Sequence, residues 1–494
     1  MADESAGGSV NRDARDLDGR TSEAVKAILE FEDEAPDSLL EVLPGTTVPF
    51  WAQVRVQIAW ALAEQHTGSV TVASESTWTR WGEAKRVARG YFPSRWDAVR
   101  RAAPHDVCFY VSGGTLSEDN GRARNWLVDA FAEATDDAVV VQARPLPSQV
   151  GLPIFRPTLS MESATARSRW RERGRPVAAG FASAAQSLLA DYAQRLNQAP
   201  DTFAAIGQRA IRNERLRPFQ LDELRHMLDR MRPKIVFYDN GSYTYNGETL
   251  GAMKDAGAYV VEPQHGWIGP SHAAYNFGRV FDDPSLRRAL PDEVLTFGNY
   301  WSESIRHPGR LTAIGKPHLE RQAAAASPTR PKSLLVVSSR VDPDGTDAFV
   351  SDLLRAVGDE WSISFRPHPG ERAETSRRYP QISATPDITI DTAPDVYESL
   401  KRTAVVIGEA STVLFEARAF GCQVIARDSA FAESVIGDAF GPRVSGVAET
   451  VARLRETPTD ERSVFTADPN IWAPEPVAAY TRWLAERRRE RSGQ

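Results

Sequence analysis

An α/β protein with two doubly wound parallel sheets is predicted by three features of this 494-residue chain. Short apolar β-type runs alternate with helix-length segments in two successive series. An Ala- and Pro-containing stretch from Gln322 to Lys332 has the character of a linker between them. Several of the β-type runs end in compact polar turns, the carboxyl-edge positions at which open α/β sheets bind ligands.

The elements follow in chain order. Residues 1–22 are rich in Gly, Ser and Asp, lack periodicity and read as a disordered tail. Thr21 to Phe31 reads as a short helix with Glu23 in its first turn. Val48 to Trp60 is an aromatic amphipathic segment that continues as helix to about Glu64. Asp106–Val111 and Ala138–Gln142 are short buried strands, the first ended by Ser112-Gly113-Gly114. From about 160 to 230 the pattern is helical. A β-turn-α-β unit comes next: strand Lys234–Tyr238, loop Asp239–Tyr243, helix to about Ala256, strand Tyr259–Glu262. That last strand runs into Pro263-Gln264-His265-Gly266, and strand Glu293–Phe297 leads into Gly298-Asn299-Tyr300-Trp301. The second series places strands at 333–338, 361–365, 388–390, 404–407 and 423–426, with helices at 346–357, 394–401 and 412–420. Pro476 to about Glu490 is a final helix with a basic end. The expected division is a tail (1–22), a first α/β domain (23–325) with a helical insertion at about 160–230, a second α/β domain (326–470) and a terminal helix (471–494).

Composition narrows the function. A net charge of -7 argues against a dedicated nucleic-acid binder, which usually carries a basic face. Cys108 and Cys422 are the only cysteines; they lack metal-type spacing and read as buried thiols of a reducing compartment. The polar, acidic amino terminus is not signal-like and no run approaches 18 apolar residues, so a cytoplasmic location is expected.

Two strand ends carry the chemistry. Trp361–Phe365 closes on Arg366-Pro367-His368-Pro369-Gly370-Glu371, which offers a cation and an imidazole. Val405–Ile407 runs into Gly408-Glu409-Ala410-Ser411-Thr412 and a helix, which offers hydroxyls and free backbone N–H groups, a natural seat for phosphate. Ser411 and Thr412 also read simply as helix caps; Gly408 adds room for close backbone approach. Glu416, one turn further on, suits a ribose diol or a salt bridge to Arg418 or Arg427. His368 is held between two prolines, which restricts the imidazole as a ligand-binding group requires, although rigidity alone would also explain the setting. His265 follows a strand and precedes Gly266, exposed enough to take a proton from a hydroxyl, with a loop histidine bonding backbone as the alternative. Five of the eight histidines fall between 265 and 368; His272 lies outside a strand end and His318 reads equally as linker surface. Asp342-Pro343-Asp344-Gly345 reads as a turn rather than a metal site. Neither a Gly-x-Gly-x-x-Gly fingerprint nor a Gly-x-Ser-x-Gly elbow occurs, so no nicotinamide or flavin cofactor is expected.

The ordered pieces Gln264-His265-Gly266, Phe297-Gly298-Asn299-Tyr300-Trp301, Ile314-Gly315-Lys316-Pro317, Arg366-Pro367-His368-Pro369 and Glu409 through Ala417, with Val48-Pro49-Phe50-Trp51 and Arg55 upstream, resemble bacterial GT-B glycosyltransferases of capsule, teichoic-acid and related surface-polymer pathways. The resemblance implies two Rossmann-like domains facing a cleft, the C-terminal one holding a nucleotide-activated donor, CMP- or CDP-linked, and the N-terminal one a glycan or lipid-linked acceptor. It implies a metal-independent glycosyltransferase or polyol-phosphate transferase building a cell-surface glycan. On that reading His265 is the base and His368 a second catalytic group, while Arg366, Glu371, Ser411, Thr412 and Glu416 bind the donor. Glu409-Ala410 departs from the small or hydroxyl pair of many relatives. The Arg487–Arg491 tail either aids peripheral contact with the inner membrane face or is a solvated helix end. Nucleotide-sugar 2-epimerases share the two-domain fold and form the rival reading, with a non-catalytic nucleotide- or glycan-binding assembly partner as the third.

Overall fold

A computed structural model of the chain describes residues 14–64, 95–143, 153–326, 331–340, 342–456 and 468–492. Strands β1 (Val107–Val111), β4 (Ala138–Gln142), β5 (Leu159–Ser160), β6 (Ile235–Tyr238), β7 (Tyr259–Pro263), β8 (Glu293–Thr296) and β9 (Arg310–Ala313) form a seven-stranded parallel sheet in the order β5-β4-β1-β6-β7-β8-β9. Between β1 and β4, β2 (Leu116–Asp119) and β3 (Arg122–Asn125) make a separate antiparallel hairpin. A second parallel sheet contains β10 (Ser333–Val337), β11 (Ser362–Arg366), β12 (Ile388–Ile390), β13 (Val405–Gly408) and β14 (Gln423–Ala426), ordered β12-β11-β10-β13-β14. In each sheet the chain winds outward from a central strand and then crosses to its other side. The switch points lie between β1 and β6 and between β10 and β13. These are two Rossmann-like units, as the sequence predicts.

The central strands read as unbroken apolar runs because helices cover both faces; Val107–Val111 is buried at every position. Where that signal is missing, sequence reading missed the element. Edge strand β9 is at best half-buried, and the hairpin strands Leu116–Asp119 and Arg122–Asn125 are largely polar. The helical insertion resolves into Glu162–Glu172, Phe181–Arg195 and Ala204–Met231. The first helix, Ala14–Glu34, is longer than expected and takes up part of the presumed tail, while residues 1–13 lie outside the described residues. Helix Pro317–Ala324 occupies the start of the presumed linker and buries His318, so that histidine is not linker surface; residues 327–330 lie outside the described residues. The Asp342 turn is the cap of helix Pro343–Val357, its carboxylate accepting from Gly345 N–H at 3.0 Å. Cys108 and Cys422 are both buried free thiols, and burial pushes Cys108 up to about 12. Among the described residues, no helix is long and apolar enough to cross a membrane.

After the second sheet the chain returns to the first. Helix Pro476–Ser492 packs Tyr480, Trp483 and Leu484 against Phe109, Phe131 and Phe237. Three arginines of its basic end are tied down. Arg487 is buried, 2.8 Å from Glu293 and 2.7 Å from Glu490; Arg488 reaches Asp106 at 2.7 Å; Arg491 donates to the Gly257 carbonyl. Arg487, Arg488 and Arg491 thus help dock the helix, while Arg489 is exposed. Removing one partner of a buried ion pair strands the other charge. Arg487→Ala should therefore cost about 3 kcal/mol in urea unfolding, the low end because Trp483, Tyr259 and Thr312 still donate to Glu293.

The returning segment also explains two of the family-like pieces. Tyr300 N–H donates to the Asn470 carbonyl (2.9 Å), Trp301 Nε1 to the Ile471 carbonyl (2.9 Å), Ala473 N–H to the Phe297 carbonyl (2.7 Å) and Trp472 Nε1 to the Phe415 carbonyl (3.1 Å). Gly315, at φ +85°, would bring a Cβ within 2.3 Å of the Ala473 carbonyl, so only glycine lets the crossing segment pass.

The units meet by their carboxyl edges. Trp267, past β7, donates to the Val435 carbonyl beyond β14 (3.0 Å). Trp301, past β8, packs on Phe415 in the helix after β13 (4.8 Å between rings). Lys316, past β9, pairs with Glu416 of that same helix at 2.5 Å. Both carboxyl edges are thereby turned toward one boundary.

Candidate functional site

On the second sheet, β10, β11 and β13 are neighbours, so the turns that follow them sit side by side. Ser411 caps helix Thr412–Ala419, its hydroxyl accepting from Val413 N–H at 3.2 Å. Ser411 and Thr412 are both half-buried at the β10/β13 switch point. His368 caps the turn after β11: Nδ1 accepts from Gly370 N–H at 3.1 Å, which leaves Nε2 as its remaining polar atom. Burial, followed by the positive charge of Arg340, pushes His368 down to about 4. The imidazole is thus neutral at pH 7, and Nε2 carries its hydrogen.

The remaining three predicted donor-binding side chains take up protein partners. Arg366 is buried and pairs with Asp391 at 2.8 Å. The Glu371 carboxylate accepts from His368 N–H (3.2 Å), Ser338 Oγ (2.7 Å) and Tyr379 OH (2.8 Å). It therefore fixes the backbone of His368 from beneath. Glu416 is also buried, but its partners are Lys316 and Tyr397 OH (2.8 Å), not Arg418 or Arg427. The Lys316 ammonium sits 4.8 Å from the Trp126 ring and 5.1 Å from that of Phe297. The pair ties the two units together, and its carboxylate already has two donors. Gly408 has a packing reason as well: a Cβ there would come within 2.7 Å of Val337 Cγ2. Glu409, the departure from the family pattern, pairs with Arg427 at 3.1 Å and accepts from Ser339 Oγ at 3.1 Å.

On the first sheet, His265 follows β7 and stands at the same boundary, two residues before Trp267. It is half-buried, and its Nδ1 is enclosed without a hydrogen-bond partner. Desolvation pushes it down to about 4, so it is a neutral base at pH 7. The Tyr243 ring lies 6.3 Å from it. Tyr243 OH is 3.4 Å from His272 Nε2, and the His272 ring packs at 4.9 Å on Tyr275. His272, placed lower on sequence alone, belongs to this cluster; burial pushes it down to about 3.

Sequence reading missed what holds the cluster. Glu262, fully buried in β7, accepts from Ser242 N–H (2.7 Å), from Ser242 Oγ and from Tyr275 OH (2.8 Å). His307 Nδ1 accepts from Gly309 N–H (3.0 Å), which leaves Nε2–H to donate to Ser242 Oγ (3.1 Å). One carboxylate joins three loops without a cation. Burial outweighs these donors and pushes Glu262 up to about 7. The available signal was an acid inside the apolar strand Tyr259-Val260-Val261-Glu262. Arg55 secures the same region from the aromatic helix: it is buried, pairs with Glu32 at 2.7 Å and donates to the carbonyls of Ala273 (2.6 Å) and Asn276 (2.8 Å). Among the described residues no group of three or more His, Cys, Asp or Glu could hold a metal ion.

No protein-family model matches the chain, and no curated protein matches it. Solved structures similar to it include UDP-GlcNAc 2-epimerase from Methanocaldococcus jannaschii, at 10% identity and TM-score 0.44, covering 77% of this chain and 98% of that one. A putative UDP-N-acetylglucosamine 2-epimerase from Listeria monocytogenes aligns at 10% identity and TM-score 0.46, over 79% and 98%. The wall teichoic acid polymerase TagF aligns at 11% identity and TM-score 0.43, over 83% and 95%. Identities this low carry no activity across.

Proposed function

We propose that this chain is a glycosyltransferase, or a close polyol-phosphate transferase, that moves its group from a nucleotide-activated donor to a hydroxyl of a cell-surface glycan acceptor. The observation that carries the proposal is a neutral, half-buried His265 set where the carboxyl edges of two Rossmann-like sheets meet. Such a base can take the acceptor proton as the hydroxyl attacks. The donor phosphates would lie at the β10/β13 switch point, on the N–H groups and hydroxyls of Ser411 and Thr412. His368 Nε2–H would donate to the departing phosphate, where charge grows in the transition state. Arg366, Glu371 and Glu416 act in this scheme as supports.

The test is nucleotide release from CMP-, CDP-, UDP- and GDP-linked donors with a polysaccharide acceptor, after thermal-shift screening of the free nucleotides to choose the base. His368→Ala should lower kcat about 100-fold, as loss of one transition-state donor does, and should cost about 1 kcal/mol of stability because it also removes the cap on Gly370 N–H. Unaltered turnover would sink the assignment. Incubation with a UDP-sugar and no acceptor separates a transferase from a nucleotide-sugar 2-epimerase, since only the latter converts its substrate alone.

A further inference from the structure

We propose that Trp60, Tyr243 and Tyr245 form a stacking subsite for a pyranose ring, which makes the acceptor a saccharide rather than a polyol or a phosphate. The term acceptor rests on the transferase reading above; the saccharide site does not. Among the described residues, five large apolar side chains are exposed, and two of them, Trp60 (38%) and Tyr245 (37%), adjoin the same residue. Their rings lie 6.3 Å and 6.0 Å from that of Tyr243, inclined at 60° and 65°. Trp60 comes from helix Phe50–Glu64 and the tyrosines from the turn after β6, so the fold gathers them from distant segments.

The turn is built to present these rings. Thr244, between the two tyrosines, has φ +60°, a left-handed conformation unusual for a β-branched residue. Asn240 shares it at φ +61°. Glu262 holds the intervening Ser242 from below through the backbone N–H and the hydroxyl. Strain kept in place by a buried carboxylate is a feature of sites that preorganise a side chain. Sugars present apolar C–H faces and hydroxyl edges, and Tyr and Trp offer a flat apolar face with a polar tip. A ring stacked here would lie against Tyr243, whose ring also neighbours those of His272, Tyr275 and His265, the last being the base that must meet a sugar hydroxyl. A bare glycerol phosphate has no face to stack.

Saturation-transfer NMR on the whole chain, without donor, tests this with four probes: cellotriose, chitotriose, maltotriose and β-galactotriose. Irradiating the aromatic protons should transfer saturation to ring C–H protons of at least one trisaccharide and not to glycerol 3-phosphate. In a Trp60→Ala/Tyr245→Ala variant that melts like the parent, the transfer should fall at least fivefold, while the thermal shift given by the donor nucleotide stays the same. No transfer to any of the four, equal transfer in the variant, or stronger transfer to glycerol 3-phosphate would overturn the proposal. The readout needs no turnover, so saccharide binding without nucleotide release would count against the transferase reading alone.

Discussion

Replacing His265 with Ala is expected to lower kcat by about 10²- to 10⁴-fold, the range for loss of a general base, while leaving stability nearly unchanged. Both halves follow from the same geometry. The Nδ1 atom has no hydrogen-bond partner, so truncation abandons no group at that atom, unlike most losses of a buried polar side chain. His272→Ala is the contrasting control: its Nδ1 accepts from Ala274 N–H at 3.2 Å and its Nε2 meets Tyr243 OH, so that variant should lose stability along with rate. The pH profile adds a second readout. A base near 4 stays neutral through the range in which a free histidine protonates, so the acid limb of kcat/KM should fall near pH 4 rather than near pH 6.5. The depressed pKa also has a stability sign. The unfolded chain takes up the proton first as pH drops, so the contribution of His265 is complete above about pH 6.5 and is lost as pH falls toward 4. An acid limb near pH 6.5, or a variant with full turnover, would remove His265 from the chemistry.

Both sheets were legible because their central strands are buried on each side and need no partner to announce themselves; Lys234–Tyr238 and Val405–Ile407 are examples. Edge strand Arg310–Ala313 was not, since a strand paired on one side and half-exposed has no apolar run. The site was legible at the level of backbone position: His265, His368 and Ser411 do follow strands at the carboxyl edges. It was not legible at the level of side-chain partners. Arg366, Glu371 and Glu416 look like ligand-binding groups in the sequence because charge in an apolar context demands a partner. The partners, Asp391, Ser338 with Tyr379, and Lys316, come from separate segments of the chain. Gly298, Gly315 and Trp301 likewise meet a segment that returns more than 150 residues later. Only the fold supplies those distances. Glu262 shows the reverse case, a residue that a rule about buried acids would have flagged in the sequence, in a strand read chiefly for its final histidine.

Glu262 also gives the second large effect, one of opposite sign to that of the histidines. Its folded pKa of about 7 lies above the ordinary value near 4.3, raised first by burial, against three donors, with the Asp239 charge adding to the rise. The stability it confers is complete below about pH 4.3 and is lost as pH rises through 7, amounting to about 3 kcal/mol for a shift of this size. The buried histidines pull the other way between pH 3 and 6.5, so the wild-type curve alone cannot isolate the term. The difference between wild type and Glu262→Gln can. The amide places an NH2 group where one oxygen accepts, which adds an offset independent of pH. Above that offset, Glu262→Gln should gain on wild type by about 3 kcal/mol between pH 4.5 and 8 in urea titrations. Parallel curves would mean that Glu262 stays ionised throughout, held by Ser242, Tyr275 and, through Ser242, His307. The same titration bears on Tyr243. If the charge on Glu262 tightens its grip on the Ser242 turn, saccharide binding should strengthen as pH passes 7 in wild type and stay level in Glu262→Gln.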